Sequence, residues 1–269
     1  MGFTLTGKLL SIGIVIFLLM TNVFAGTTDN PCDGPGAVFN YTHRGSVADS
    51  PCVIPPKTFM AEAGYIYSGF SNPAVFAQNF PQLTLTLGLP ANTQFVLFAP
   101  SFNQQTSDPF SGYDITMLDI KHQVFYNSKW MFAAEAAIAP PGGSAGFGAK
   151  EVSAVVSGIL NYTINDQFSW LFELSASTIS LPPIAGNLRF QTINPDLVFS
   201  YAPATKLSFF AEIYGQTKTG QGLGSGFNAD YGFLYLIHPT MAFDLEIGHP
   251  VSGRLDGTYI GSGITIWLQ

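Results

Sequence analysis

The sequence predicts an all-β fold: an antiparallel transmembrane β-barrel of about twelve strands over residues 58–269, preceded by a short disulfide-stapled segment. Three observations support this prediction. Apolar residues alternate with polar ones over long stretches, short polar turns recur at a nearly constant interval, and charged residues make up only 10% of the chain while aromatic residues make up 14%.

The alternation is clearest over residues 152–178. Two apolar faces appear there, which are Val152, Ala154, Val156, Gly158, Leu160, Tyr162 and Ile164, then Phe168, Trp170, Phe172, Leu174 and Ala176. A period of two predicts extended strands with one apolar and one polar face, and the short polar link between them predicts an antiparallel hairpin. The length of each strand favours a membrane-spanning strand over one of a soluble sheet. Aromatic residues beside the link are typical of an interfacial girdle.

The same hairpin pattern repeats along the chain. Short turns are predicted at 90–92, 127–129, 165–167, 203–205 and 238–240, and longer loops at 70–80, 103–112, 140–149, 179–190, 217–226 and 250–257. Each repeat holds two strands, whereas a propeller blade holds four and a sandwich has shorter strands. Long loops at one end and short turns at the other are typical of a transmembrane barrel with an even number of strands.

Composition limits the partners. The low charge suits a barrel whose outer surface contacts outer-membrane lipid, because soluble proteins carry about 25% charged residues. The formal net charge of −7 argues against nucleic acid as a partner.

The first residues are predicted to direct export. Residues 1–25 have the pattern of a signal peptide, with Lys8, a short apolar run and a cleavage site after Ala25. We therefore expect the mature chain in the bacterial outer membrane, inserted there by the barrel assembly machinery.

The stretch from Gly26 to Lys57 lacks strand alternation. It is a stapled periplasmic segment, a plug in the barrel mouth, or a disordered leader, and the sequence leaves these open. Its Cys32 and Cys52 are predicted to form a disulfide, since an exported chain meets an oxidising compartment, and the closed loop would stabilise the fold by about 3 kcal/mol. The cysteine spacing does not favour a metal site, and we expect no cofactor.

The closing strands resemble a known family. Residues 243–248 and 259–268, with shorter echoes at 119–122 and 140–142, resemble the outer-membrane barrels named for the meta-pathway of phenol degradation. The resemblance covers most of residues 58–268. It implies a transporter-like barrel for small organic solutes, including hydrophobic or aromatic ones. The sequence departs from the family pattern at its end, where Leu268 and Gln269 replace a terminal Phe.

Charged residues on the polar faces are predicted to line the lumen, because a carboxylate that faces lipid is costly. The candidates are Glu62, Asp119, Lys121, Glu135, Glu173, Glu212, Asp244 and Glu246. One hypothesis is an acidic constriction that favours cations or neutral solutes. The other is a structural polar network in a filled lumen, balanced by Lys121, Lys206 and Arg189.

Two further classes of function stay open at this stage. A lipid-modifying hydrolase would need a nucleophile and a base, and only His249, Ser252 and Asp256 cluster in sequence, in a predicted loop. These residues fall in a predicted loop, where such side chains are common, and a triad is recognised by its geometry, so we expect no enzyme. A structural or adhesive barrel would instead act through its long loops. A channel for small solutes is the function the pattern favours.

Overall fold

The computed structural model describes residues 30–34, 36–71, 74–186, 188–253, 255 and 257–268. The predicted signal peptide lies outside the described residues. Within the described ranges, no helix has the length and apolar character needed to cross a membrane.

The chain forms one short α-helix, one 3₁₀ helix (Pro183–Ala185) and fifteen strands among the described residues. The α-helix and the strands are named in chain order. They are α1 (Ala37–Tyr41), β1 (Phe59–Ser71), β2 (Ala74–Phe80), β3 (Thr84–Leu89), β4 (Thr93–Phe98), β5 (Phe102–Gln105), β6 (Ser111–Tyr113), β7 (Met117–Tyr126), β8 (Trp130–Ala139), β9 (Ser153–Asn165), β10 (Phe168–Ser180), β11 (Arg189–Ala204), β12 (Leu207–Gln216), β13 (Gly226–His238), β14 (Met241–Ser252) and β15 (Thr258–Leu268).

The strands close into an antiparallel barrel. The last strand, β15, pairs with β1 from Phe59 opposite Leu268 to Gly69 opposite Thr258. Around the circumference, β2 and β3, β4 and β5, and β6 and β7 each run as two pieces of one strand, which gives a ring of twelve. The predicted fold class is confirmed. Every strand of the ring therefore has two neighbours, so no edge needs unsatisfied backbone groups in lipid.

Two predicted loops are wrong. Residues 74–80 form β2, and β5 and β6 occupy both ends of the predicted 103–112 loop. Three strands of the ring are interrupted between their two pieces, at residues 81–83, 99–101 and 114–116. Pro81 and Pro100 explain two of these breaks, because proline has no N–H for the ladder. The breaks are neighbours: Ala99 N donates to Leu83 O, and Asp114 N donates to Ser101 O.

Aromatic side chains cover the outside of the barrel near the short turns. The rings of Trp130 and Tyr162 lie 4.4 Å apart, and those of Trp170 and Phe199 lie 5.0 Å apart. Trp130 and Trp170 are each 42% exposed although they are large and apolar. This exposure is what an interfacial girdle requires, because the amphipathic rings lie at the boundary between lipid and water.

Apolar side chains fill the inside of the barrel at the short-turn end. The buried cluster joins the N-terminal segment to the wall, and its members are Cys32, Ala37, Val38, Tyr41, Cys52, Ile54, Met60, Met131, Leu236, Ala242 and Trp267. The predicted disulfide between Cys32 and Cys52 is present, with its Cα atoms 5.6 Å apart. It lies against Met131, whose Sδ is 3.6 Å from Cys32 Sγ. The disulfide thus ties both ends of residues 32–52 to one apolar layer.

Candidate functional site

Residues 42–50, which we name the crossing segment, run across the interior of the ring above this apolar layer. They contact β1 and β14 at one end and β12, β10 and β7 at the other. Because these strands lie on different sides of the barrel, a segment that reaches all of them must lie inside it.

Wall carboxylates hold the backbone of the crossing segment. Glu62 accepts hydrogen bonds from the Thr42 hydroxyl at 2.5 Å and from the His43 N–H at 3.1 Å. Glu212 accepts from the N–H groups of Val47 and Ala48, both at 2.8 Å. Each of these two wall side chains accepts hydrogen bonds from two consecutive residues of the segment, so the contacts fix the path of the segment.

Two further wall acids bind the segment. Glu173 accepts a hydrogen bond from the Asp49 N–H at 2.9 Å. Asp244 binds Arg44 in a bidentate pair, with distances of 2.9 Å to Nε and 3.0 Å to Nη2. The Arg44 guanidinium lies over Gly64 and Gly263, which face each other across the barrel seam, and a Cβ at either position would overlap it. The seam is therefore shaped to accept this side chain.

Asp49 contacts two cations. Its Oδ2 lies 3.0 Å from Nδ1 of His43 and 2.8 Å from Nζ of Lys121, which also donates to the Ser50 carbonyl at 2.8 Å. Burial disfavours the imidazolium, but the charges of Asp49 and Glu62 outweigh this and raise the pKa of His43 above its ordinary value. The charges of His43 and Lys121 outweigh burial at Asp49 and hold the pKa of its carboxyl well below its usual range.

The remaining predicted lumen residues are also enclosed. Asp119 is 2% exposed and Glu246 is 8% exposed, whereas Glu135 and Glu173 are partly buried. Within the described part of the chain, neither carboxylate oxygen of Asp119 has a hydrogen-bond partner, and Oε2 of Glu135 has none. Their predicted role in solute selectivity stays a prediction.

The predicted balance of charge is wrong in two places. Lys206 is exposed in a short turn, and Arg189 pairs with Glu151 near the long loops at 3.3 Å. Of the three predicted cations, only Lys121 lies among the wall acids. The cation that sequence reasoning missed is Arg44, which reaches the wall from the N-terminal segment. The inward glycines Gly64 and Gly263 were the signal for it, because such positions on facing strands leave room that another group must fill.

A cavity of about 590 Å³ lies above the crossing segment. Its floor includes residues 43–47, and one side is formed by residues of all three strand breaks. Apolar side chains contribute much of this lining, namely Ile66, Leu83, Phe98, Ile115 and Met117. The polar groups in its floor already have partners in the protein, since Arg44 binds Asp244 and Gln82, and His43 binds Asp49.

Among the described residues, His249 of the hydrolase set contacts a residue from outside that set. Nδ1 of His249 lies 3.0 Å from the Thr258 hydroxyl at the exposed rim, and Asp256 lies outside the described residues. Among the residues that the structure describes, no group of three or more His, Cys, Asp or Glu side chains is arranged to hold a metal ion.

A closed ring of twelve antiparallel strands with an apolar, aromatic exterior defines the fold of an outer-membrane β-barrel. Solved channels share it. The COG4313 outer membrane channel from Pseudomonas putida F1 superposes with a TM-score of 0.60 at 11% identity, over 80% of this chain and 97% of that one.

Two porins are also similar in structure. The KdgM porin gives a TM-score of 0.52 at 9% identity over 77% of this chain and 98% of its own, and the NanC porin gives 0.52 at 9% over 78% and 99%. No protein-family model matches the sequence, and no curated protein sequence matches it.

Proposed function

We propose that this protein is a bacterial outer-membrane channel for small solutes, with a preference for neutral hydrophobic or aromatic ones. The observation that carries the proposal is the cavity inside the ring, which is bordered by apolar side chains and by the crossing segment, a part of the chain that does not belong to the wall. The fold it shares with solved channels supports the proposal.

The chemistry of the cavity favours a neutral solute. The charged side chains in its lining include Arg44, His43 and Glu246, and the two cations are already engaged with wall or segment carboxylates. A charged solute would have to displace one of these buried partners, which is costly. An aromatic ring would instead pack against residues such as Phe98 and Met117 and gain from leaving water. The resemblance to the phenol meta-pathway barrels agrees with this class of solute.

In the conformation described, the channel is closed. The apolar cluster around the disulfide fills the short-turn end, and the crossing segment fills the middle. Passage therefore requires this segment to leave the lumen. The wall acids that bind it, Glu62, Glu173, Glu212 and Asp244, would then line the pore and disfavour anions, which unites the two hypotheses drawn from the sequence.

Location and partners follow from this function. We propose that residues 1–25 direct export, that the barrel assembly machinery inserts the strands, and that outer-membrane lipid contacts the aromatic exterior.

Solute influx into proteoliposomes tests the proposal. We expect a neutral aromatic solute such as phenol to enter faster, relative to empty liposomes, than a neutral sugar or an aromatic carboxylate of similar size. Ile66→Trp, which fills the cavity, should slow phenol entry, whereas Ile164→Trp, on the lipid-facing surface, should not. Equal influx into protein-free and protein-containing liposomes for every solute would contradict the proposal.

A further inference from the structure

We infer that the crossing segment is a gate held shut by charge, that Asp49 is its latch, and that Lys121 moves between two acidic partners as the gate opens. This inference rests on the proposed channel function.

Asp49 makes one contact within the crossing segment and two contacts with strands of the wall. Its carboxylate binds His43 within the segment and Lys121 on β7, and its N–H donates to Glu173 on β10. The Lys121 side chain is fully buried, so its charge needs a carboxylate nearby. In the closed conformation Asp49 supplies it.

The wall holds a second partner for the same ammonium group. Glu135 lies directly opposite Lys121 in the β7–β8 ladder, and Asp119 lies two residues away on the same face. Both acids keep buried oxygens without a hydrogen-bond partner while Lys121 is engaged with Asp49. If Asp49 leaves, Lys121 can turn to Glu135 with its charge still compensated. Lys121 thus has two arrangements, paired with Asp49 in the closed state and with Glu135 in the open state. A gate requires such a two-state element.

The charge of His43 sets the pH dependence of the latch. Its ring faces Asp49 and Glu62, with Lys121 and Asp119 also close enough to act on it. Its pKa is raised in the closed conformation, so the stabilisation it gives is complete below about 6.5, its value when released, and is lost as pH rises through the raised pKa. The gate should therefore loosen as pH rises through that raised pKa.

Single-channel recording in planar bilayers tests the latch. Asp49→Asn should raise the fraction of time open on the order of tenfold or more, because a buried charge pair holds the closed state. Asp166→Asn, the same change in an exposed short turn, should have no effect. Glu135→Gln should oppose opening, because it removes the second partner of Lys121. The unaltered protein should open more often as pH rises through the raised pKa of His43, and His43→Gln should abolish this dependence on pH.

Hydrogen exchange provides the second measurement. The N–H groups of His43, Val47, Ala48 and Asp49 are bound to wall carboxylates, so release of the segment must speed their exchange. Asp49→Asn should speed exchange there, while the β10–β11 ladder stays protected and shows that the barrel is folded. If the unaltered protein or any variant conducts but Asp49→Asn matches Asp166→Asn in both measurements, the latch is wrong. If neither the unaltered protein nor any variant conducts, although Asp49→Asn speeds exchange in residues 43–49 relative to Asp166→Asn, the latch stands and the channel function is wrong.

Discussion

Replacement of Arg44 by Met should lower the stability of the barrel far more than loss of an ion pair at its surface. Arg44 and Asp244 form two hydrogen bonds, of 2.9 and 3.0 Å, and their side chains are only 9% and 2% exposed. Removing one partner of such a pair leaves a buried charge without compensation, which costs about 3–5 kcal/mol. Methionine keeps the apolar stem of the side chain, so the change reports mainly on the charge.

The matched control is Arg189→Met. Arg189 pairs with Glu151 at 3.3 Å, but the two side chains are 34% and 53% exposed, and a pair screened in this way contributes about 0–1 kcal/mol. Each substitution removes one arginine charge from the same barrel. The difference between their effects on the free energy of unfolding therefore reports the contribution of burial.

Reversible unfolding by guanidinium in phospholipid vesicles measures the effect. The three tryptophans report it, because Trp130 and Trp170 lie on the outside and Trp267 packs on Tyr41 at 5.3 Å. The double variant Arg44→Met/Asp244→Leu should recover much of the loss, since no buried charge is then left over. The reasoning is refuted if Arg44→Met and Arg189→Met change the free energy of unfolding equally.

Three further predictions follow from the interior. Gly263→Ala should lower the free energy of unfolding by about 1–3 kcal/mol in the same assay, because its Cβ would overlap Arg44. In a protein that already carries Arg44→Ala, adding Gly263→Ala should cost much less. Cys32→Ser should destabilise residues 32–52 by about 3 kcal/mol, seen as faster hydrogen exchange there, and unchanged exchange would contradict it. Met131→Ala, which removes a side chain packed against the disulfide, should lower the unfolding midpoint by an amount typical of a core cavity, whereas an unchanged midpoint would show that the apolar layer is not packed.

Much of the fold could be predicted from the sequence because a transmembrane barrel obeys one strong constraint. Each strand has one face toward lipid and one toward the lumen, so the period of two persists over strands such as β9 and β10. The prediction was wrong where this constraint is interrupted. Pro81 and Pro100 break two strands, and the sequence pattern predicts loops at 70–80 and 103–112, where β2, β5 and β6 continue the ladder.

The interior could be predicted only in part. Period two placed Glu62, Glu212 and Asp244 on the polar face, but it could not say what they bind. Their partners come from a segment that has no periodicity of its own, and contacts such as Arg44 to Asp244 join residues far apart in sequence. Only the inward glycines marked the path of this segment. A carboxylate that contacts a docked backbone and one that contacts water have the same sequence signature.

Conductance of the chain with and without residues 26–57 tests the central claim most directly. Both proteins are first shown to be folded barrels by their heat-dependent migration on a gel. A channel filled by its own N-terminal segment predicts rare openings for the full chain and a steady conductance, with anions disfavoured, for the shortened one. The claim is contradicted if the shortened barrel is folded and inserted yet remains as impermeable as the full chain.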